Sequence, residues 1–338
     1  MKRLVCLASF LALAASAFAA EPYTLDRSGV FWKVEASTSG VVLVGVKNGE
    51  EVVRSLVSFP LGIAGQNDSN LQLVADELTG KVVLAWQRNW SEAYSDVVLA
   101  VWNQGQWERV SYLGGNASLR PRNPVLKLAQ ATSTYPDPED PEKTVTVSES
   151  FALLTWWQGD GDQQGARLAI LRLAASPDED DALSVREVVS SPGIGFNCPQ
   201  PLSSEAVERP TFAAEPPGPV SHLLVASPST CLLFVHEIRL ELDNPQTEEG
   251  GLGVVAMRRR HTPIFGVRRV LPVPQGVAAE GTRVVLGPDA QPVLYRVLPD
   301  RVSYTVATPQ GWSEARTLQV GPQLPLDKAI ALVENLAR

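Results

Sequence analysis

The sequence predicts an all-β fold: a β-propeller of about five blades, six at the outer count, each a four-stranded antiparallel sheet, followed by a short C-terminal helix. Three observations carry this expectation. A β-rich phrase recurs five times between Val41 and Val320, most legibly as Val83-Leu84-Ala85-Trp86 and Leu153-Leu154-Thr155-Trp156. Each copy holds three or four strand-like runs, too few to bury both faces of a sheet alone, so neighbouring copies must stack. With Leu43, Leu84, Leu154, Leu233 and Leu294 taken as markers of one repeated strand, the copies lie 41, 70, 79 and 61 residues apart. Loops can absorb such variation; a solenoid demands a tighter period, and a sandwich does not restart the same four-strand phrase.

The second unit reads most clearly, as Leu71 to Asp76, Lys81 to Gln87, Val97 to Trp102 and Trp107 to Leu113, with turns at Thr79-Gly80 and Gln104-Gly105. The fifth repeats the plan with Thr282 to Leu286, Pro292 to Val297, Val302 to Ala307 and Trp312 to Val320. In the third, Pro124 to Ala129, Phe151 to Trp157, Arg167 to Leu173 and Leu183 to Ser190 are separated by long insertions. The fourth is read as Val220 to Ala226, Cys231 to Glu237, Gly253 to Arg259 and Gly266 to Val273. The first unit is degenerate, with Val30 to Glu35, Val41 to Lys47 and Glu51 to Val57 recoverable. Fourth strands share Val53-Arg54, Val185-Arg186 and Val267-Arg268, charged as exposed sheet edges are. After Pro325, Asp327 is a candidate cap for a helix carrying Leu326, Ile330, Val333 and Leu336 near one face, suited to covering an end of the array.

Residues 1–19 read as a signal peptide: a basic start at Lys2-Arg3, an apolar run from Leu4 to Ala15, and a small-x-small site at Ala17-Phe18-Ala19. The propeller is then expected over 20–325 and the capping helix over 326–338, with a periplasmic or extracellular destination. No later segment has the roughly 20 apolar residues of a transmembrane helix. Processing leaves 27 basic against 37 acidic side chains, a formal charge of −10. That balance opposes a nucleic-acid partner, since the short run Arg258-Arg259-Arg260 is no phosphate track. Cys198 and Cys231 are the remaining thiols, and an oxidising compartment leaves both a disulfide and two free thiols open. Without a C-x-x-C or paired-His spacing, no Cys-based metal site is expected, and no cofactor signature is present.

The phrases ending in Trp86 and Trp156, with the turns Asn103-Gln104-Gly105-Gln106-Trp107 and Pro309-Gln310-Gly311-Trp312, resemble the sialidase-type, BNR-repeat group of β-propellers. In that family the last two strands of a blade are joined by an S-x-D-x-G-x-T-W turn. Here the Gly and the Trp stand, while Ser, Asp and Thr are replaced. The resemblance implies a fold and no catalytic residue. It assigns Gly105 and Gly311 to tight turns and Trp107 and Trp312 to packing between blades.

In such a blade the loop between strands two and three, and the connection to the next blade, open on one face around the axis. That rule gathers Arg88, Trp90, Glu92 and Tyr94 from the second unit and Asp160 from the third. His236, Glu237 and Arg239 come from the fourth, Arg296 from the fifth, and Arg122 and Arg209 from the connections. Aromatic rings beside Arg and carboxylates suit a sugar site, the ring packing on apolar C–H surface and the guanidinium gripping oxygens. The same residues serve equally as ion pairs and filler between blades. Glycosidase chemistry needs paired carboxylates or a Tyr nucleophile; Glu92, Tyr94, Asp160, Glu237 and Asp300 qualify by placement alone. Asp160-Gly161-Asp162 lacks the remaining ligands of a Ca²⁺ loop. The functional expectation is therefore non-catalytic binding of carbohydrate or an extracellular protein, the alternatives being a glycosidase or a structural module of an envelope assembly.

Overall fold

The computed structural model describes residues 23–37, 40–57, 68–114, 119–137, 140–159, 164–175, 182–188, 202, 204–226, 231–243, 259–274 and 282–336. The segment read as a signal peptide lies outside these residues. Five antiparallel sheets follow one another as blades, each an uninterrupted meander. Blade one is Tyr23–Leu25 (β1), Phe31–Ser37 (β2), Gly40–Lys47 (β3) and Glu50–Leu56 (β4). Blade two is Asp68–Ala75 (β5), Val82–Asn89 (β6), Ser95–Asn103 (β7) and Gln106–Tyr112 (β8). Blade three is Arg122–Pro136 (β9), Thr144–Gln158 (β10), Gly165–Leu173 (β11) and Ala182–Val188 (β12). After a one-turn helix at Ser204–Val207 (α1), blade four is Thr211–Phe212 (β13), Val220–Ala226 (β14), Leu232–Leu242 (β15) and His261–Pro272 (β16). Blade five is Thr282–Leu286 (β17), Pro292–Leu298 (β18) and Arg301–Thr308 (β19), with its fourth position shared by Gly311–Trp312 (β20) and Arg316–Gln319 (β21). The helix Leu326–Asn335 (α2) closes the chain.

The second strands explain why the repeated phrase is a continuous apolar run and not an alternation. In β6, Leu84 and Trp86 enter the core shared with blade one, whereas Val83 and Ala85 enter the core shared with blade three. In β10, Leu154 and Trp156 face blade two, and Leu153 and Trp157 face blade four. A strand buried on both faces needs an apolar residue at every position. Each Val or Leu so buried contributes about 1.5–3 kcal/mol. Fourth strands are exposed, and the Val-Arg pairs fall on β4, β12 and β16 as expected.

Two assignments need correction. Leu43 and Leu233 lie on third strands, β3 and β15, not on the second strand with Leu84, Leu154 and Leu294. Blade four is displaced by one strand from its sequence reading: β14 is second, not first, because the true first strand is only Thr211–Phe212, too short for any period to mark. The second-strand leucines of blades two to five are then Leu84, Leu154, Leu224 and Leu294, each seventy residues from the last. The uneven spacing came from counting a third strand as a second. The strand expected at Gly253–Arg259 falls mostly outside the described residues, and Arg259 itself is not in a strand.

Polar fastenings lock each apolar interface. Trp107 Nε1 donates to Ser55 Oγ of blade one at 3.0 Å, and Trp312 Nε1 to the Pro272 carbonyl of blade four at 2.7 Å. Both tryptophans thus pack between blades, and the preceding turns use positive φ at Gln104 (44°), Gly105 (97°) and Gly311 (134°). Asp76, fully buried, joins blades two and three. One of its oxygens accepts from Gln130 Nε2 at 2.7 Å and Ser150 Oγ at 2.8 Å, the other from the Thr79 backbone N–H at 3.0 Å and its hydroxyl at 2.5 Å. Lys127 Nζ, its pKa lowered by burial, donates to the Ala213 carbonyl across blades three and four at 2.7 Å.

The two ends of the array differ. No contact comparable to those between successive blades joins blade five to blade one among the described residues. The free face of blade five, with Val293, Tyr295, Val302 and Tyr304, is instead covered by Ala329 and Val333 of α2. Tyr295 donates its hydroxyl proton to Glu334 on that helix. The helix caps the array as expected, but its N-cap is Pro325, while Asp327 lies in the first turn, where a carboxylate favours the positive end of the helix dipole.

Replacing Asp76 by Ala strands donors from three segments, and equilibrium urea unfolding should register a loss of about 3 kcal/mol or more. Deleting residues 326–338 should uncover the blade-five face, read as increased binding of a hydrophobic dye together with a lower melting temperature.

Candidate functional site

The loop between β6 and β7 is the best-formed part of the predicted mouth. It is closed by the backbone N–H groups of Trp90 and Ser91, both donating to the Tyr94 carbonyl, at 2.9 and 3.2 Å. The Trp90 indole donates to Asp96 Oδ2 at 2.7 Å, stacks on Tyr112 with ring centroids 6.5 Å apart, and lies 5.4 Å from the Arg88 guanidinium. Burial pushes the Asp96 carboxyl up, an effect that the Trp90 hydrogen bond opposes. Ser95 Oγ donates to the Pro121 carbonyl at 2.7 Å, tying this loop to the connection into blade three. Gly114 is needed there, since a Cβ would stand 2.6 Å from Pro121 and 2.7 Å from Asp96. Glu92 and Tyr94 remain in solvent, Tyr94 at 50% exposure.

Arg88 itself is not available to a ligand. Its side chain is fully buried and forms a two-pronged pair with Asp68, Nε to Oδ1 at 3.0 Å and the terminal nitrogen to Oδ2 at 2.9 Å. Asp68 is its cross-strand neighbour on β5. Arg122 is similarly engaged, with Glu208 at 2.7 Å and with the carbonyls of Arg120 and Gly159. Arg209, next in the chain to Glu208, is exposed. Asp160 and Cys198 lie outside the described residues; Cys231 takes part in a disulfide.

The one-strand displacement of blade four moves His236, Glu237 and Arg239 out of a loop and into the middle of β15. They do not join the mouth. His236 is buried between Phe234 and Phe265, at 6.2 and 4.8 Å, with no hydrogen-bond partner on either nitrogen. Burial pushes its pKa down to about 4. Glu237 pairs with Arg239 at 3.2 Å and with Arg268, and lies 3.4 Å from His222 Nε2; His222 Nδ1 meets Glu215 at 3.1 Å. Arg296 is half-buried on β18, opposite Thr282 and Ser303.

A second cluster, absent from the sequence reading, lies at the other end of the blades. The pair β9–β10 and the pair β15–β16 run longer than their counterparts and meet there. His261 bridges them: Nε2 lies 2.9 Å from Ser133 Oγ, Nδ1 lies 3.0 Å from Glu149 Oε2, and its backbone N–H donates to the same Glu149 oxygen. Arg172 meets the other Glu149 oxygen at 3.5 Å. These are the distances of a Ser-His-acid relay, but Ser133 sits in mid-strand opposite Val147 and lines neither adjoining cleft. The arrangement is a pin between two hairpins. The clefts on either side of it share Arg172 and Arg260, and the larger measures about 290 Å³. Glu149 and His261 are 112 residues apart, so no spacing in the sequence could have joined them.

Among the described residues no group of three or more His, Cys, Asp or Glu side chains could hold a metal ion, and no helix is long and apolar enough to cross a membrane. No family model matches the chain, and no curated protein matches its sequence.

Replacing Arg88 by Met leaves Asp68 buried and unpaired, and should cost about 3–5 kcal/mol in urea unfolding, whereas Arg88→Met with Asp68→Leu should cost less. For His236, the unfolded state binds more protons than the folded state between pH 6.5 and about 4, so stability falls as pH drops through that window. Compared with His236→Phe, the parent should lose about 3 kcal/mol across it, measured by denaturant midpoints at each pH.

Proposed function

We propose that this protein is an exported, non-catalytic binding propeller whose carbohydrate site is the Trp90–Tyr94 loop of blade two. The observation that carries the reading is the construction of that loop. Trp90 is fixed by Asp96, Tyr112 and Arg88, while Tyr94 and Glu92 stand in solvent beside it. A rigid aromatic shelf with polar groups at its edge offers what a sugar ring needs: apolar surface for its C–H face and hydrogen-bond partners for its hydroxyls. Little conformational entropy is lost on binding, because the shelf is already closed by its own backbone hydrogen bonds.

Binding is favoured over turnover by where the candidate carboxylates stand. Glu237 is in mid-strand within an ion-pair network on blade four, away from the blade-two loop that carries Glu92, and Asp300, in the corresponding loop of blade five, pairs with Arg301, so Glu92 and Glu237 do not form a carboxylate pair across a scissile bond. A second reading, docking of an extracellular protein, has one specific support. The outer face of blade one exposes Tyr23, Leu25, Phe31 and Leu56, with Tyr23 stacked on Phe31 at 5.4 Å. The amino-terminal basic, apolar and small-residue sequence supports export.

A glycan array run beside a chromogenic glycosidase panel tests the proposal. The expected result is glycan retention without turnover, weakened about tenfold or more by Tyr94→Ala and by Trp90→Ala, with the Tyr94→Ala melting temperature unchanged. Hydrolysis by the parent would overturn the non-catalytic reading; glycan binding indifferent to both substitutions would overturn the site.

A further inference from the structure

We propose that amide side chains on the first strands of blades two and three extend the blade-two sugar site toward the axis, where they read the hydroxyls of a further unit of a neutral oligosaccharide. This rests on the reading of the Trp90–Tyr94 loop as a sugar site and adds to it the length and charge of the ligand. First strands converge in the array, β5 touching both β1 and β9. Near the end that carries the loop, β5 and β9 have matching irregularities. Asn70 and Leu71 stand together opposite Trp86, and Asn123 and Pro124 stand together opposite Trp156. Both bulges therefore fall against the closing tryptophan of the repeated phrase. Blade five, with Arg296 seventy residues after Trp156 in the sequence, pairs there without a shift.

A bulge re-aims a side chain, and here both re-aimed side chains are amides that meet between the blades. Asn70 and Asn123 take left-handed backbone, φ 51° and 53°. Asn70 Nδ2 donates to Gln87 Oε1 at 3.1 Å and to Asn123 Oδ1 at 3.4 Å, and the Asn123 backbone N–H donates to the same Gln87 oxygen at 3.1 Å. Gln87 Nε2 donates to Asn89 Oδ1 at 2.7 Å, and Asn89 directly precedes Trp90. The amides thus form a bonded row leading from the first strands into the aromatic loop. Asn123 Nδ2 fixes the far end on the Glu208 carbonyl at 3.0 Å.

The row is more than a fastening, because part of its hydrogen-bonding capacity is left over. Asn70 is exposed and its Oδ1 accepts no hydrogen bond among the described residues, while Gln87 Nε2 spends one of its two protons. An amide offers an acceptor and a donor side by side, the complement of a sugar hydroxyl. Its partners hold it in place beforehand, so little entropy is lost on binding. The readers carry no charge. The guanidiniums that adjoin them in the chain, Arg88 beside Gln87 and Arg122 beside Asn123, already hold Asp68 and Glu208. Neighbouring strands lie about 4.8 Å apart, and Asn70 is on the first strand whereas Tyr94 follows the second, so the two suit successive sugar units.

Isothermal titration calorimetry on the full chain tests this with cellotetraose, maltotetraose and mannotetraose, the monosaccharides glucose and mannose, and tetragalacturonate. At least one neutral tetraose should bind saturably, with its monosaccharide and tetragalacturonate about tenfold or more weaker. Asn70→Gly keeps the left-handed backbone and deletes the exposed amide, and Ser69→Ala removes the hydroxyl that Asn89 Nδ2 meets at 3.4 Å without touching a bond between blades. Asn70→Gly should weaken the tetraose about tenfold and Ser69→Ala about threefold, with monosaccharide affinity and melting temperature at parent values; Tyr94→Ala should weaken both sugars. Tetraose binding indifferent to Asn70→Gly and Ser69→Ala but lost in Tyr94→Ala would overturn this inference and leave the loop reading standing. Loss in Asn70→Gly with none in Tyr94→Ala would support the amides and overturn the loop. No tetraose binding by the parent, or equal binding of tetragalacturonate, would overturn the inference.

Discussion

The structure depends on one constraint: the central strands of blades two to five are apolar on both faces, so none of these sheets is complete until another element packs on either side. Alternate residues of β6 enter two separate cores, Leu84 and Trp86 on one side and Val83 and Ala85 on the other. β10 does the same with Leu154 and Trp156 against Leu153 and Trp157. Stability is therefore distributed along the array, and the terminal faces need separate solutions. Blade five is finished by α2. Blade one keeps Tyr23 and Phe31 in the open beside a network in which Glu35 pairs with Lys33 and Arg54.

The same constraint decides which polar residues are structural. Blades packed face to face bury whatever charge lies near their axis, and a buried charge must be paired. Arg88 therefore carries Asp68 with it, and Asp76 gathers Gln130, Ser150 and Thr79 around one carboxylate. Residues free of that duty lie in the connecting loops, where Tyr94 and Glu92 stand. The proposed sugar-binding loop is thus at an end of the blades, where the stacking requirement lapses.

Much of this was legible in the sequence where turns were short and strands strongly apolar. Blades two and five could be read strand by strand, because Thr79-Gly80, Gln104-Gly105 and Gly311 mark hairpins, and the Trp107 and Trp312 assignments followed from those turns. Blade four could not, because Thr211–Phe212 is a strand by pairing alone and carries no periodic signal. That single omission displaced His236, Glu237 and Arg239 from β15 into an imagined loop. The candidate site was legible only in part. The residues Trp90 to Tyr94 are contiguous, so their loop could be read directly, but Asp96, Tyr112 and the cross-strand Asp68 join them through registry. The Glu149–His261 pin unites different blades and leaves no local trace.

Hydrogen exchange of backbone amides across the whole chain tests the central claim most directly. If every blade is completed by its neighbours, the slowest amides should recur in the second strands Val82–Asn89, Thr144–Gln158, Val220–Ala226 and Pro292–Leu298, with fourth strands exchanging much faster. Protection confined to a single blade, or blades that exchange as independent units with unrelated stabilities, would contradict it.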